Sequence, residues 1–201
     1  MRATESLLAL LLLLLLAPRA WAAPPADAYR GAATNLLAQV RKGFETAPES
    51  ARTTRDLIAL LDANLPEPSS EWPPVFRAYR AALEGLRGKH SHAPWNKYVH
   101  AKAGLAAFRG LVEAHPDSIE IRMLRYSFCS QLPAVFDVGP QAADDLAVLV
   151  ELFERDQDPA VPAADRRGMI RWILRHGQPA NEQRRRLENL LKTDGTPSPA
   201  S

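Results

Sequence analysis

The chain has 201 residues and a formal net charge of +2 at pH 7, from 25 Lys or Arg and 23 Asp or Glu. A net charge this close to zero indicates no polyanionic or polycationic partner by itself. Cys129 is the single cysteine, which excludes an intramolecular disulfide, so the fold depends on its hydrophobic core.

Residues 1–22 predict a secretory signal peptide. Arg2 precedes an unbroken apolar run over residues 7–16, and Ala20-Trp21-Ala22 forms the small-residue pattern that precedes cleavage. The apolar run is shorter than the roughly 20 residues that span a bilayer. We therefore expect an exported protein, periplasmic or secreted, that does not insert stably into a membrane once the signal is removed.

Residues 23–192 show the three- and four-residue apolar spacing of helices, and no long alternating run indicates a strand. We predict one all-α domain of about eight helices, followed by a disordered tail at 193–201. Most connections are short, which favours antiparallel helical hairpins. In chain order, the apolar residues of the predicted helices fall within 29–44, 57–65, 75–86, 98–112, 121–128, 146–153, 169–174 and 187–191.

Proline, glycine and capping residues predict where these helices begin and end. The stretch LPEPSSEWPP, residues 65–74, predicts a loop before the third helix, and Gly88 predicts the end of that helix. Pro94 suits the first turn of the fourth helix, where a missing N–H costs nothing. Asp117 or Ser118 is expected to cap the fifth helix.

One segment resembles a tetratricopeptide repeat. In AGLAAFRGLVEAHPDSIEIRMLRYSF, residues 103–128, Gly104, Phe108 and Pro116 occupy the small, aromatic and proline positions of that motif, whereas Leu111 stands where the family has a small residue. The resemblance covers about one repeat and implies stacked, antiparallel helical hairpins. Residues 88–136 also resemble a group of uncharacterised exported bacterial proteins, which implies no particular activity.

The stretch GKHSHAPWNKYVHAK, residues 88–102, is the densest in side chains that bind ligands. Its three histidines, His90, His92 and His100, are residues of the kind that bind zinc, copper or nickel. However, the chain has no H-E-x-x-H motif, and no acidic residue lies between Glu84 and Glu113. Histidines solvated in a turn are the alternative to a metal site.

A second candidate site lies on the predicted fourth helix, which we expect over about 93–114. Trp95, Lys102 and Arg109 recur every seven residues, so they form a stripe on one side of the helix. An aromatic ring beside cations suits an acidic peptide, a phosphate or a glycan carboxylate. Alternatively, the basic side chains extend over the edge of the core. The core face of this helix is predicted to carry Tyr98, Ala101, Leu105, Phe108 and Val112.

Charge is unevenly distributed in the last third of the chain. An acidic block at residues 144–165 precedes a basic block at 166–192. We expect the two blocks to pair across neighbouring helices, and we predict no nucleic-acid partner for an exported protein.

No catalytic motif is present. The chain lacks G-x-S-x-G, a glycine-rich phosphate loop and H-x-E with paired cysteines, so no catalytic residue or cofactor is predicted. Cys129 follows Phe128 in an apolar helix and is expected to be buried and inert. We therefore predict a module that binds a protein or peptide through the third to fifth helices. The alternative is a small metal-dependent enzyme, or a metal-binding factor, built on His90, His92 and His100.

Overall fold

A computed structural model of the chain describes residues 26–155, 158 and 160–193, and for residues 26–32 and 193 it describes the backbone alone. These described residues form eight α-helices and three short 3-10 helices, without a strand, which confirms the all-α prediction. The predicted signal peptide, and all of the predicted tail except Thr193, lie outside them. The α-helices are α1 Ala26–Phe44, α2 Ala51–Asn64, α3 Pro74–Lys89, α4 Pro94–Ala114, α5 Ile119–Ser130, α6 Gly139–Arg155, α7 Ala163–His176 and α8 Asn181–Thr193.

The chain divides into two compact units between Leu36 and Leu37, within α1. The described part of the first unit is residues 26–36, the beginning of that helix. The second unit contains the rest of α1 and the other seven helices, and the candidate site lies in this unit.

Helix ends follow the sequence signals closely. Ser118 caps α5 as predicted, since its side chain accepts a hydrogen bond of 3.4 Å from the backbone N–H of Ile121. Ser50 caps α2 in the same way, accepting from the N–H of Thr53 at 3.0 Å. Pro94 occupies the first turn of α4, whose N-cap residue Ala93 has no side chain to accept a hydrogen bond.

The helix pair α3 and α4 packs closely because glycines line the contact. Gly88 is buried, and a Cβ there would lie 3.0 Å from the Cβ of His100. Gly88 was predicted to end α3, but the helix continues to Lys89, and the residue serves to let α4 approach. At Gly104, on the opposite helix, a Cβ would lie 3.0 Å from the carbonyl oxygen of Ala81.

Two buried carboxylates tie the helices together. Glu120 of α5 accepts hydrogen bonds from Arg41 of α1, at 2.8 and 2.6 Å, and from the hydroxyl of Tyr79 of α3, at 2.7 Å. Burial and the neighbouring charge of Glu120 raise the pKa of Tyr79, so its hydroxyl remains a donor. Asp145 of α6 is fully buried and accepts from Arg122 and Arg125 of α5.

Apolar side chains of the last four helices form a continuous core. Ile173 of α7 and Leu187 of α8 are fully buried against residues of α5 and α6, and Trp172 packs at the edge of this cluster. This packing fixes α5, and α5 in turn contacts both α3 and α4. As a result α4 packs with one side on α3 and α5, and its other side is exposed within the described part of the chain.

Candidate functional site

Three aromatic rings stack on the surface at the beginning of α4. The ring centroids of Trp95 and Tyr98 are 5.8 Å apart, and those of Tyr98 and Phe136 are 5.5 Å apart, with 26° between the planes in each pair. Phe136 belongs to the 3-10 helix Ala134–Phe136 between α5 and α6. Asp137 follows it in the left-handed conformation, with φ 50°, which turns the chain sharply after the third ring.

This stack corrects the prediction that Tyr98 belongs to the core. Tyr98 is 43% exposed, whereas Ala101, Phe108 and Val112 of the same predicted face are buried. The helical period assigns Tyr98 to the correct side of α4, but it does not predict how far the side chain is buried. In the first turn of α4 the neighbour of Tyr98 is the half-buried ring of Phe136, which lies at the surface itself.

The exposed large apolar side chains gather at this one place. In the described part of the chain they are Trp95 at 71%, Tyr98 at 43%, Val99 at 44% and Val135 at 81% exposed. Three are in the first two turns of α4, and Val135 precedes the ring that stacks on Tyr98. We call Trp95, Tyr98, Val99, Val135 and Phe136 the aromatic patch. A contiguous exposed apolar patch of this kind is typical of an interaction site.

A second apolar face continues from the patch along α4. Trp95, Val99, Ala103, Ala106 and Gly110 are all exposed and recur at spacings of four, four, three and four residues, so they lie on one side of the helix. We call these five residues the outer stripe. The inner side of α4 carries its own apolar set, which is buried: Ala101, Gly104, Phe108, Leu111 and Val112. Helix α4 is therefore apolar on both sides, although its outer side is exposed among the residues that the structure describes.

Two cations border the outer stripe. Lys102 and Arg109 are exposed, and neither forms a hydrogen bond or ion pair with any residue that the structure describes. By contrast, Arg80 and Arg87 of α3 both contact Glu84, at 2.9 and 3.2 Å. Trp95, Lys102 and Arg109 thus lie on the same exposed side of α4, and neither cation is in an ion pair among the described residues.

The three histidines do not come together. His90 contacts the carbonyl oxygen of Ala47 at 3.0 Å, His100 contacts Glu84 at 2.6 Å, and His92 is exposed. Across residues 26–155, 158 and 160–193 no group of three His, Cys, Asp or Glu side chains is placed to hold a metal ion. The hypothesis of a metal site at His90, His92 and His100 therefore has no geometric support.

The contact of His100 with Glu84 was not foreseen because it joins two helices. Burial opposes ionisation of Glu84, but hydrogen bonds from Arg80 and His100, together with the charge of Arg87, outweigh it and lower the pKa of Glu84. The carboxylate therefore stays ionised and connects α3 to α4 through its contact with His100. Glu84 lies 16 residues before His100, and no local motif relates the two.

Cys129 is buried, as predicted, with 4% of its surface exposed. Burial, followed by the charge of Asp145, raises the pKa of its thiol to about 11. The thiol is therefore protonated at neutral pH and is a poor nucleophile.

The acidic and basic blocks pair in part. Arg186 of α8 forms two hydrogen bonds to Glu154 of α6, at 2.7 and 2.6 Å, which is the pairing predicted between the blocks. Asp145 of the acidic block instead pairs with Arg122 and Arg125, which precede it in the chain. The prediction missed this pair because the three residues meet only when α5 packs against α6.

Comparison of the chain with protein-family models, with curated proteins and with solved structures finds no match. Among the helices of the described residues, none is long and apolar enough to cross a membrane.

Proposed function

We propose that this protein is a non-catalytic binding module that captures an acidic, apolar segment of another protein on the exposed side of α4. One observation carries the proposal. Large, exposed apolar side chains from two separate chain segments come together in the aromatic patch. Apolar groups exposed to water cost free energy that a partner recovers by covering them. Tryptophan and tyrosine are also the residues that most often dominate binding energy at interfaces.

The charge of the partner follows from Lys102 and Arg109. Because neither cation is in an ion pair among the described residues, a partner that carries acidic side chains gains attraction without breaking an existing ion pair. Their attraction acts over about 10 Å at 0.1 M salt and is screened at higher concentration. The module should therefore bind acidic segments in a manner that depends on salt.

The experiment selects peptides from a random 20-residue display library on the immobilised full chain and measures the affinity of the enriched peptides. We expect acidic peptides that contain large apolar residues. Trp95→Ala should weaken their binding by about tenfold. The double variant Lys102→Glu/Arg109→Glu should weaken it by a similar factor at low salt and by much less at about 1 M salt, where screening is nearly complete.

A matched control is available on α7. Arg171 and Arg175 are exposed arginines of the same chain, and reversing both changes the net charge by the same amount. If Arg171→Glu/Arg175→Glu weakens binding as much as the α4 variant, overall charge explains the result and the proposed site is wrong. If no peptide is enriched, or enriched peptides bind the Trp95→Ala variant equally well, the proposal fails altogether.

A further inference from the structure

We infer that the segment captured by this module binds as an amphipathic helix along the length of α4, with its acidic side chains facing Lys102 and Arg109. This inference rests on the proposed function and specifies the partner. Its first support is length. The outer stripe continues well beyond the aromatic patch, from Trp95 to Gly110, which is about 22 Å at 1.5 Å per residue. A ligand that touched the aromatic patch alone would leave most of this stripe in water.

The backbone of α4 favours a helical partner over an extended one. An extended peptide usually gains affinity by adding a strand to a sheet edge, where it pairs with free backbone groups. The N–H and C=O groups along the middle of α4 are already paired within the helix, so they offer nothing to a strand. A helical segment satisfies its own backbone and presents an apolar stripe of the same period.

The sizes of the stripe residues change along α4. Trp95 and Val99 are large, whereas Ala103, Ala106 and Gly110 are small, so a second helix can approach more closely near the end of α4. Gly110 has no role in packing that the structure describes, since a Cβ at this position would meet nothing within 4 Å. A glycine inside an exposed helix destabilises it, and the fold shows no compensating contact here. Close approach by a partner helix would explain why a glycine occupies this position.

The positions of the two cations also suit a helix that lies along α4. Lys102 and Arg109 are seven residues apart, two helical turns, along one edge of the stripe. Carboxylates seven residues apart on a docked helix would face both. A second copy of α4 is the competing occupant, but it would bring the same two cations, with Glu113 as the one acid on this side of the helix. The charge therefore favours an acidic partner over self-association.

The test uses the peptides enriched on the full chain and two matched variants. Gly110→Phe places a ring in the outer stripe, and Gly168→Phe places the same ring on α7, where a Cβ also meets nothing within 4 Å. We expect Gly110→Phe to weaken binding at least about tenfold and Gly168→Phe to change it less than about twofold. Both variants should keep the melting temperature of the parent within a few degrees.

Two further measurements concern the peptide. Its helicity by circular dichroism should rise on mixing with the full chain, and a proline at its centre should abolish binding, since proline disrupts a helix. If Trp95→Ala weakens binding while Gly110→Phe and the central proline do not, the peptide is held at the aromatic patch in another conformation. The inference is then wrong and the proposed function survives.

Self-association is tested separately by sedimentation of the full chain without peptide. A dimer that Gly110→Phe dissociates and Gly168→Phe does not would assign the outer stripe to a second copy and overturn the inference. Failure of the proposed function has a different signature, because in that case Trp95→Ala leaves peptide binding unchanged as well.

Discussion

Helices α4 and α6 are both long and both pack against α5, yet they differ in the residues that they expose to solvent. Helix α6 buries Leu146, Leu149 and Phe153 and exposes acidic residues such as Glu151 and Glu154. Helix α4 buries an apolar set of its own and exposes a second one. A helix needs one apolar side to join a core. The second apolar side of α4 is exposed among the described residues, and the proposed function assigns it to binding.

The two helices also differ in where they place charge. The inner side of α6 contains Asp145, fully buried and paired with Arg122 and Arg125 at 2.6 to 2.8 Å. The buried residues of α4 include no charged side chain, and Lys102 and Arg109 lie on its exposed surface. Charge in α6 thus stabilises the fold, whereas Lys102 and Arg109 of α4 are in no ion pair among the described residues.

The largest expected effect separates the two sides of α4. Phe108→Ala removes a fully buried ring, whose centroid is 5.6 Å from that of Phe128, and should lower the free energy of unfolding by about 3–5 kcal/mol. Tyr98→Ala removes an aromatic ring from the exposed patch and should cost less than about 1.5 kcal/mol. Urea denaturation measures both. Equal losses would mean that the aromatic patch belongs to the core after all.

The buried charge of α6 gives the second effect. Asp145→Ala leaves two largely buried guanidinium groups without their carboxylate and should destabilise the protein by about 3 kcal/mol. Asp144→Ala, one residue earlier and exposed, is the control and should stay within about 0.5 kcal/mol. If the two variants unfold at the same urea concentration, the ion pairs of Asp145 add nothing to the stability of α6.

A third, smaller effect depends on pH. The lowered pKa of Glu84 means that its contacts stabilise the folded protein when pH is above the ordinary glutamate value of about 4.3, and that this contribution is lost as pH falls below it. Glu84→Gln should therefore cost about 1 kcal/mol at pH 7, and the difference from the parent should shrink between about pH 5 and 3. Glu113→Gln, at an exposed position, should show no such convergence. A difference that stays constant with pH would mean that the charge of Glu84 does not hold α4 to α3.

Much of the fold could be predicted from local signals. Apolar spacing identified all eight helices that the structure describes, and Ser118 was recognised as a cap because its side chain acts three residues along the chain. The parts that were missed depend on tertiary contacts. Phe136 reaches Tyr98 from 38 residues away, and the pairing of His100 with Glu84 requires α3 and α4 to be packed. The resemblance to tetratricopeptide repeats stays a prediction.

The candidate site was also predicted only in part, because local spacing can be recognised in the sequence and tertiary contacts cannot. The seven-residue spacing placed Trp95, Lys102 and Arg109 on one side of a helix, because periodicity is a local property. It did not reveal that this side is open, since that depends on where α3, α5 and the 3-10 helix come to rest. It also assigned Tyr98 to the core, because a helical period predicts the side of the helix on which a residue lies and not the burial of its side chain.

The smallest effect compares two glycines of α4. Gly110 lies in the outer stripe, where an added Cβ meets nothing within 4 Å, so Gly110→Ala should raise the free energy of unfolding by about 0.5–1 kcal/mol through helix propensity alone. Gly104 lies on the inner side, where a Cβ would press on the carbonyl oxygen of Ala81 and on the ring of Phe128, both at 3.0 Å. Gly104→Ala gains the same propensity but should destabilise the protein, because a backbone carbonyl cannot move aside cheaply. Thermal melts measure both changes, and because the two variants should shift the melting temperature in opposite directions, they can be distinguished even when each shift is small. If Gly110→Ala is also destabilising, the end of α4 has a neighbour within its own chain and is not free to receive a second helix.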